Sequence, residues 1–489
     1  MDCHHPESIR LVERLWIGAL LVGLAVAASP VAQAQLGASL VKDLYPGSHS
    51  LPQHMADLNG VLLFNAIDAT AGAELWISDG SPTGTVILKD IHTTGWSEPR
   101  YLTNVGGSTV FFNATDGANG YELWMTDGTN PGTVMVKDIN TLGSSHPEQL
   151  VDAGGVLFFR ATDGTNGYEI WKSDGTGPGT VMVQDINGSG DSWPNNLAAV
   201  GSVAYFAADD GSNGIELWEC DGTTASMVMN INPGGSSSPQ ELVDVNGVLF
   251  FAADDGTNGV ELWKHDPSAG TTAMVMNINP GGSSAPQYLT NVNGMLFFRA
   301  NDGTNGSELW KSDGTTATLV KDIYSGIGSS GPQFITNVKG TAYFRASSSG
   351  TGSELWRSDG GAGGTVLVKD INPGFASSSP QELVNLNGTL VFSAIDATFG
   401  RELWQSDGSD AGTVMTQDIN PIGGFSNPQY LTVSGGYVYC AADDGTNGIE
   451  LWKTDTPVFA LPLKAWIVGI GLFAAALLVL RQRRATYTR

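Results

Sequence analysis

The sequence predicts an all-β protein, a closed β-propeller of about nine four-stranded blades, and three observations carry that expectation. Trp76, Trp124, Trp171, Trp218, Trp263, Trp310, Trp356, Trp404 and Trp452 recur at intervals of 45–48 residues, a 47-residue repeat on average. That period lies between those of the WD40 and kelch propeller repeats. Each copy holds four short strand-like runs, and the array opens and closes on partial copies that complement each other.

The sixth copy displays the elements in order. Its runs are QYLTNV (287–292), GMLFFRA (294–300), SELWKSD (307–313) and TATLVKDI (316–323), each rich in β-branched, aromatic or leucine side chains. Asn-Gly joins the first two as a tight hairpin, because both turn positions require positive φ. NDGTNG and DGT join the next pairs, and nothing in the repeats has helical periodicity. The longest connection, such as NPGGSSSPQ (232–240), must therefore lead from the outer strand of one sheet to the inner strand of the next. The last copy stops after ELWKTD (450–455), one strand short, while SLVKDL (39–44) supplies a fourth strand before any ELW has occurred. One sheet built from both ends of the array closes a ring. A linear solenoid would need polar capping repeats instead, and closure protects the sheet edges.

Three segments follow. Residues 1–34 read as a signal peptide: Arg10 and Arg14 precede the apolar run LWIGALLVGLAVAA (15–28), and AQA (32–34) offers small residues for cleavage. Residues 39–456 form the propeller. Residues 457–489 read as a transmembrane anchor or sorting segment, with the uncharged stretch AWIVGIGLFAAALLVL (465–480) followed by the basic RQRR (481–484). The expected location is outside the cytoplasm, anchored at the cell surface or envelope through 465–480.

Between the two ends, 16 basic residues stand against 46 acids. Such a surface repels a polyanion, so nucleic acid is excluded as a partner. Cys220 and Cys440 lie 220 residues apart in different repeat positions, which fits neither a metal cluster nor a disulfide framework. Both read as small buried apolar groups. The sequence contains no HExxH, GxSxG or GxxxxGK motif.

The runs ELWKSDGT, VKDINPG and AADDGTNG resemble the ELWxxDGT repeat family of exported bacterial proteins, over about residues 39–456. The C-terminal segment resembles bacterial sorting signals. The family resemblance implies a cell-surface context and no particular reaction.

Up-and-down strands place the DGTNG loops and the long links on one face, here the top. A glutamate precedes Leu-Trp or Ile-Trp in every copy, and an aspartate stands six residues earlier in all copies but one. Asp116 with Glu122, Asp163 with Glu169, Asp210 with Glu216, Asp255 with Glu261, Asp302 with Glu308, and Asp444 with Glu450 are the candidate metal ligands. Calcium is the ion that such hard oxygens suit. Against this stands a structural reading, in which the aspartates stabilise turns and the glutamates accept backbone N–H bonds. Trp96, Trp193, Phe375 and Phe425 interrupt the small-residue links and are the candidate ligand-contacting residues. The recurring tryptophans suit packing between blades. The expected function is a non-enzymatic cell-surface or extracellular module for binding or adhesion, recognising a glycan or protein on the top face. The alternative is a carbohydrate-active hydrolase that uses carboxylates of the top face or the channel.

Overall fold

A computed structural model describes residues 35–455. Within that span 36 strands form nine four-stranded antiparallel sheets, and no helix occurs among the described residues. Blade 1 runs through Gln53–Leu58, Val61–Asp68, Gly72–Ser78 and Val86–Lys89, in that spatial order. Blades 2 to 8 repeat it. In blade 9 the strands Gln429–Ser434, Tyr437–Asp443 and Ile449–Thr454 are completed by Ala38–Lys42. The protein is a nine-bladed β-propeller, as the repeat count and the two partial copies require. The flanking segments 1–34 and 457–489, read as leader and anchor, lie outside the described residues.

Closure rests on specific pairing. Ala38 lies opposite Thr454, Ser39 opposite Lys453, Leu40 opposite Trp452 and Lys42 opposite Leu451. Val41 and Leu44 then bury themselves with Leu62, Phe64, Ala66 and Trp76 of blade 1, so the closing strand also packs across the seam. Lys42 Nζ donates to Thr85 O of blade 1 at 2.8 Å. The equivalent Lys89, Lys137 and Lys321 reach the next blade in the same way, at 2.7–2.8 Å.

The core consists of the layers between blades. In the second strand of blade 6, Leu296 and Phe298 pack against blade 5 beside Phe250 and Leu262, whereas Phe297 faces blade 7 beside Phe344 and Trp356. Successive side chains of a strand point to opposite faces. A sheet between two neighbours must therefore be apolar on both, which is why LFF occupies consecutive positions. The nine repeat tryptophans are 4–7% exposed, so they serve packing. Cys220 and Cys440 are free and fully buried.

The inner strands of neighbouring blades lie side by side. Side chains lace them together: Asn104 Nδ2 donates to Asp57 O at 2.8 Å, Asn291 Nδ2 to Asp244 O at 3.1 Å, and Asn385 Nδ2 to Asn337 O at 3.1 Å.

Candidate functional site

The recurring glutamate sits at the start of the third strand, under the long link that leaves its own blade. In blade 2, Glu122 is fully buried. Its Oε1 accepts from Ser145 N at 2.9 Å, and its Oε2 from Ile139 N at 2.8 Å and Ser145 Oγ at 2.7 Å. Glu169, Glu216, Glu261 and Glu308 make the same three contacts with the serine and isoleucine of their own links. Glu450 makes them with Leu44 and Ser50, so the closing blade uses the N-terminal segment as its link. Each glutamate fastens a link that would otherwise leave buried N–H groups unpaired. Burial, only partly offset by these donors, pushes the carboxyls of Glu169, Glu261 and Glu308 up, and those of Glu122 and Glu450 to about 7.

The aspartates six residues earlier are spent within their own loops. Asp116 Oδ1 accepts from Ala118 N and Asn119 N, both at 2.9 Å, and its Oδ2 accepts from Asn119 Nδ2 at 2.8 Å. Asp163, Asp210, Asp255, Asp302 and Asp444 do the same. Burial would raise these carboxyls, yet the converging N–H donors outweigh it and hold them below the usual range. The six aspartate–glutamate pairs are thus accounted for by hydrogen bonds. Among the described residues no three His, Cys, Asp or Glu side chains gather as a metal would need.

The four link aromatics lie on the top face but do not converge, since they belong to the links entering blades 2, 4, 8 and 9. Three of them also cover the structure beneath. Trp96 is 53% exposed and lies against Gly72, where a β-carbon would come within 2.1 Å of Cδ1. Trp193 stacks on Tyr168 with centroids 4.6 Å apart, and the Arg160 guanidinium carbon sits 5.1 Å from its ring. Phe425 covers Gly400 as Trp96 covers Gly72. Phe375, 85% exposed, stands clear. A cavity of about 550 Å³ opens beside Trp96, between His49 and Tyr45 on one side and Asp68 and Thr94 on the other.

A second set of residues is organised around the axis, and the sequence reading missed it. The second residue of every inner strand has a left-handed backbone, with φ between 52° and 59°: His54, Tyr101, Gln149, Asn196, Glu241, Tyr288, Phe334, Glu382 and Tyr430. At each one the pairing register with the second strand slips, as for Gln53 and Ala56 in blade 1. This is the geometry of a β-bulge, which re-aims side chains. Several of them reach the adjacent blade. His54 meets Tyr101 at 5.9 Å between centroids, and Tyr288 meets Phe334 at 6.1 Å. Glu241 Oε2 accepts from Leu289 N at 3.3 Å, and Glu382 Oε2 from Leu431 N at 3.2 Å. They form a belt around the inner edge of the ring. No glycine marks these positions, so the only sequence signal was a fixed register with variable polar or aromatic residues.

No family model matches the chain, and no curated protein does. Solved structures do. A prolyl endopeptidase structure is 14% identical, covering 80% of this chain and 60% of its own, with a TM-score of 0.38. A puromycin hydrolase structure is also 14% identical, with 75% and 61% covered and a TM-score of 0.38. A puromycin-hydrolyzing peptidase of Mycobacterium tuberculosis is 9% identical, with 71% and 58% covered and a TM-score of 0.38. This chain spans about 60% of the length of those proteins. The matched structures are hydrolases, which corrects the expectation of a non-enzymatic binding or adhesion module that recognises glycans or proteins. Three of the four link aromatics also pack on the preceding blade while remaining at least half exposed. The likeness to these structures assigns no activity to this chain.

Proposed function

We propose that the ring is the substrate-admitting propeller of a hydrolase, with the axial belt selecting what approaches the channel. The belt carries this reading. Nine non-glycine residues are held left-handed at one level around the axis, and each such residue costs of order 1–3 kcal/mol unless its surroundings impose it. The repeated glutamates and aspartates are committed to structural hydrogen bonds, so the reacting groups of the hydrolase are assigned elsewhere than to the repeat motif. Membership of the ELWxxDGT family, export, and anchoring through residues 465–480 belong to the same proposal and rest on the sequence. Among the described residues no helix is long and apolar enough to cross a membrane.

The test is hydrolysis of peptides and esters of graded length by the full chain, isolated natively from its own cells. Turnover is expected. Tyr288→Ala and Tyr430→Ala should raise KM severalfold while kcat stays within about twofold, the pattern of lost ground-state binding. Absence of turnover across the panel, or belt variants with unchanged KM and length preference, overturns the reading.

A further inference from the structure

The propeller is strongly acidic, yet a group of its arginines lies on the top side of adjacent blades without acid partners. Arg299 in blade 6 and Arg345 in blade 7 occupy equivalent second-strand positions, and Arg401 is the second residue of the third strand of blade 8. Blade 3 provides the comparison. There the equivalent Arg160 lies opposite Glu148 and forms an ion pair with it. In blade 6 the residue opposite Arg299 is Gln287, and in blade 7 the residue opposite Arg345 is Gln333. Glutamine stands at this inner-strand position in six of the nine blades, so Glu148 departs from the repeat, and Arg299 and Arg345 meet no carboxylate there.

The side chains are held in place without being neutralised. The Arg345 guanidinium carbon lies 5.0 Å from the Phe334 ring centroid, and that of Arg299 lies 5.1 Å from Tyr288. Arg401 Nη1 donates to Ser379 O at 3.2 Å, Ser393 O at 3.4 Å and the buried Ser393 Oγ at 3.1 Å. None of the three takes part in an ion pair among the described residues. Glu382, the belt acid of blade 8, is committed to Leu431 N. Ser393, which Arg401 reaches, lies opposite Gln381 as Arg345 lies opposite Gln333, so the Arg401 guanidinium occupies in blade 8 the place that Arg345 holds in blade 7. Burial, and next the positive charge of Arg345, lower the Arg401 pKa. Like charges brought together and partly desolvated are costly unless a counter-charge joins them.

We propose that Arg345 and Arg401, supported by Arg299, form a binding site for a dianionic oxyanion, such as a phosphate or sulfate group, on the top face of blades 6 to 8. Guanidinium forks match such oxygens in geometry and charge. The site adjoins the belt through Tyr288 and Phe334, but binding of the oxyanion does not depend on the hydrolase reading.

Calorimetric titration of the full chain with inorganic phosphate and, separately, sulfate at pH 8 and fixed ionic strength tests the proposal. Saturable binding of both is expected, with acetate and chloride much weaker. Arg345→Gln and Arg401→Gln should each weaken phosphate binding at least about tenfold, the scale of one lost charge-assisted contact. Arg160→Gln should leave it unchanged. Gln333→Glu keeps every arginine and gives Arg345 the partner that Arg160 has, so it should abolish binding while raising the melting temperature. That variant separates lost charge from lost fold. Acetate binding as tight as phosphate, no binding of either dianion, or binding indifferent to Gln333→Glu would overturn the site.

Discussion

Glu122 has an ordinary carboxyl placed where water cannot reach it, and the consequences differ with pH. Burial raises the carboxyl to about 7 in the folded ring, well above its ordinary value of 4.5. The folded state therefore holds its proton more tightly than the unfolded chain. Stability from this group is full below the unfolded value and falls as pH rises towards about 7, after which it no longer changes. Glu74, Glu169, Glu261, Glu308, Glu354, Glu402 and Glu450 are shifted in the same direction, so the effect accumulates around the ring. The melting temperature is expected to be higher at pH 5 than at pH 8. Thermal scans at both values check it, and Glu122→Gln should flatten part of the slope. Glu122→Ala leaves Ile139 N without its acceptor and Ser145 N and Oγ with only the Tyr121 carbonyl, and is expected to cost on the order of 2 kcal/mol.

Within a single blade, the link and the loop before the third strand meet at a glycine. Gly72 and Gly400 have φ of 79° and 77° and lie directly beneath Trp96 and Phe425. A β-carbon at either site meets both a left-handed backbone and an aromatic ring. Gly400→Ala is expected to destabilise the ring by about 1–2 kcal/mol and to displace Phe425. Trp96→Ala, by contrast, removes a half-exposed cover and should cost about 1 kcal/mol or less, in the range of surface substitutions with few contacts. Urea unfolding of the two variants distinguishes these outcomes. In the inner strands the register slips beside Tyr288 and Tyr430 at positions held left-handed by residues other than glycine.

At the scale of the whole molecule, stability depends on a ring that is joined once. Residues 38–42 supply the outer strand of blade 9, Val41 and Leu44 fill the layer against blade 1, and Ser50 satisfies Glu450. Deleting residues 35–46 removes all but the last of these and exposes Leu451 and Trp452. The deletion is expected to cost well over 5 kcal/mol, since each large core side chain lost costs about 2–5 kcal/mol. It should also convert a single cooperative transition into progressive loss of blades from the seam. Calorimetry and limited proteolysis of the shortened chain test this, and a single transition at the original temperature would contradict it.

The fold could be read from the sequence because it rests on local, repeated chemistry. The spacing of Trp76 to Trp452, the Asn-Gly and Asp-Gly turns, and the half-repeat SLVKDL each constrain one stretch of chain, and nine copies reinforce the reading. The aspartate turns and the packing of the tryptophans were legible for the same reason. What Trp96, Trp193 and Phe425 touch was not, because their partners Gly72, Tyr168 and Gly400 open the preceding blade's third strand, at distances set by the folded link. The belt and the arginine group were further from view. The belt depends on left-handed backbone angles adopted by nine residues of six types, none of them glycine. The arginines, 46 and 56 residues apart along the chain, become one group only when the ring curves and sets blades 6, 7 and 8 side by side. Repetition along the chain thus determined the architecture, whereas contact between blades, which brings distant charges together in three dimensions, decided where chemistry can take place.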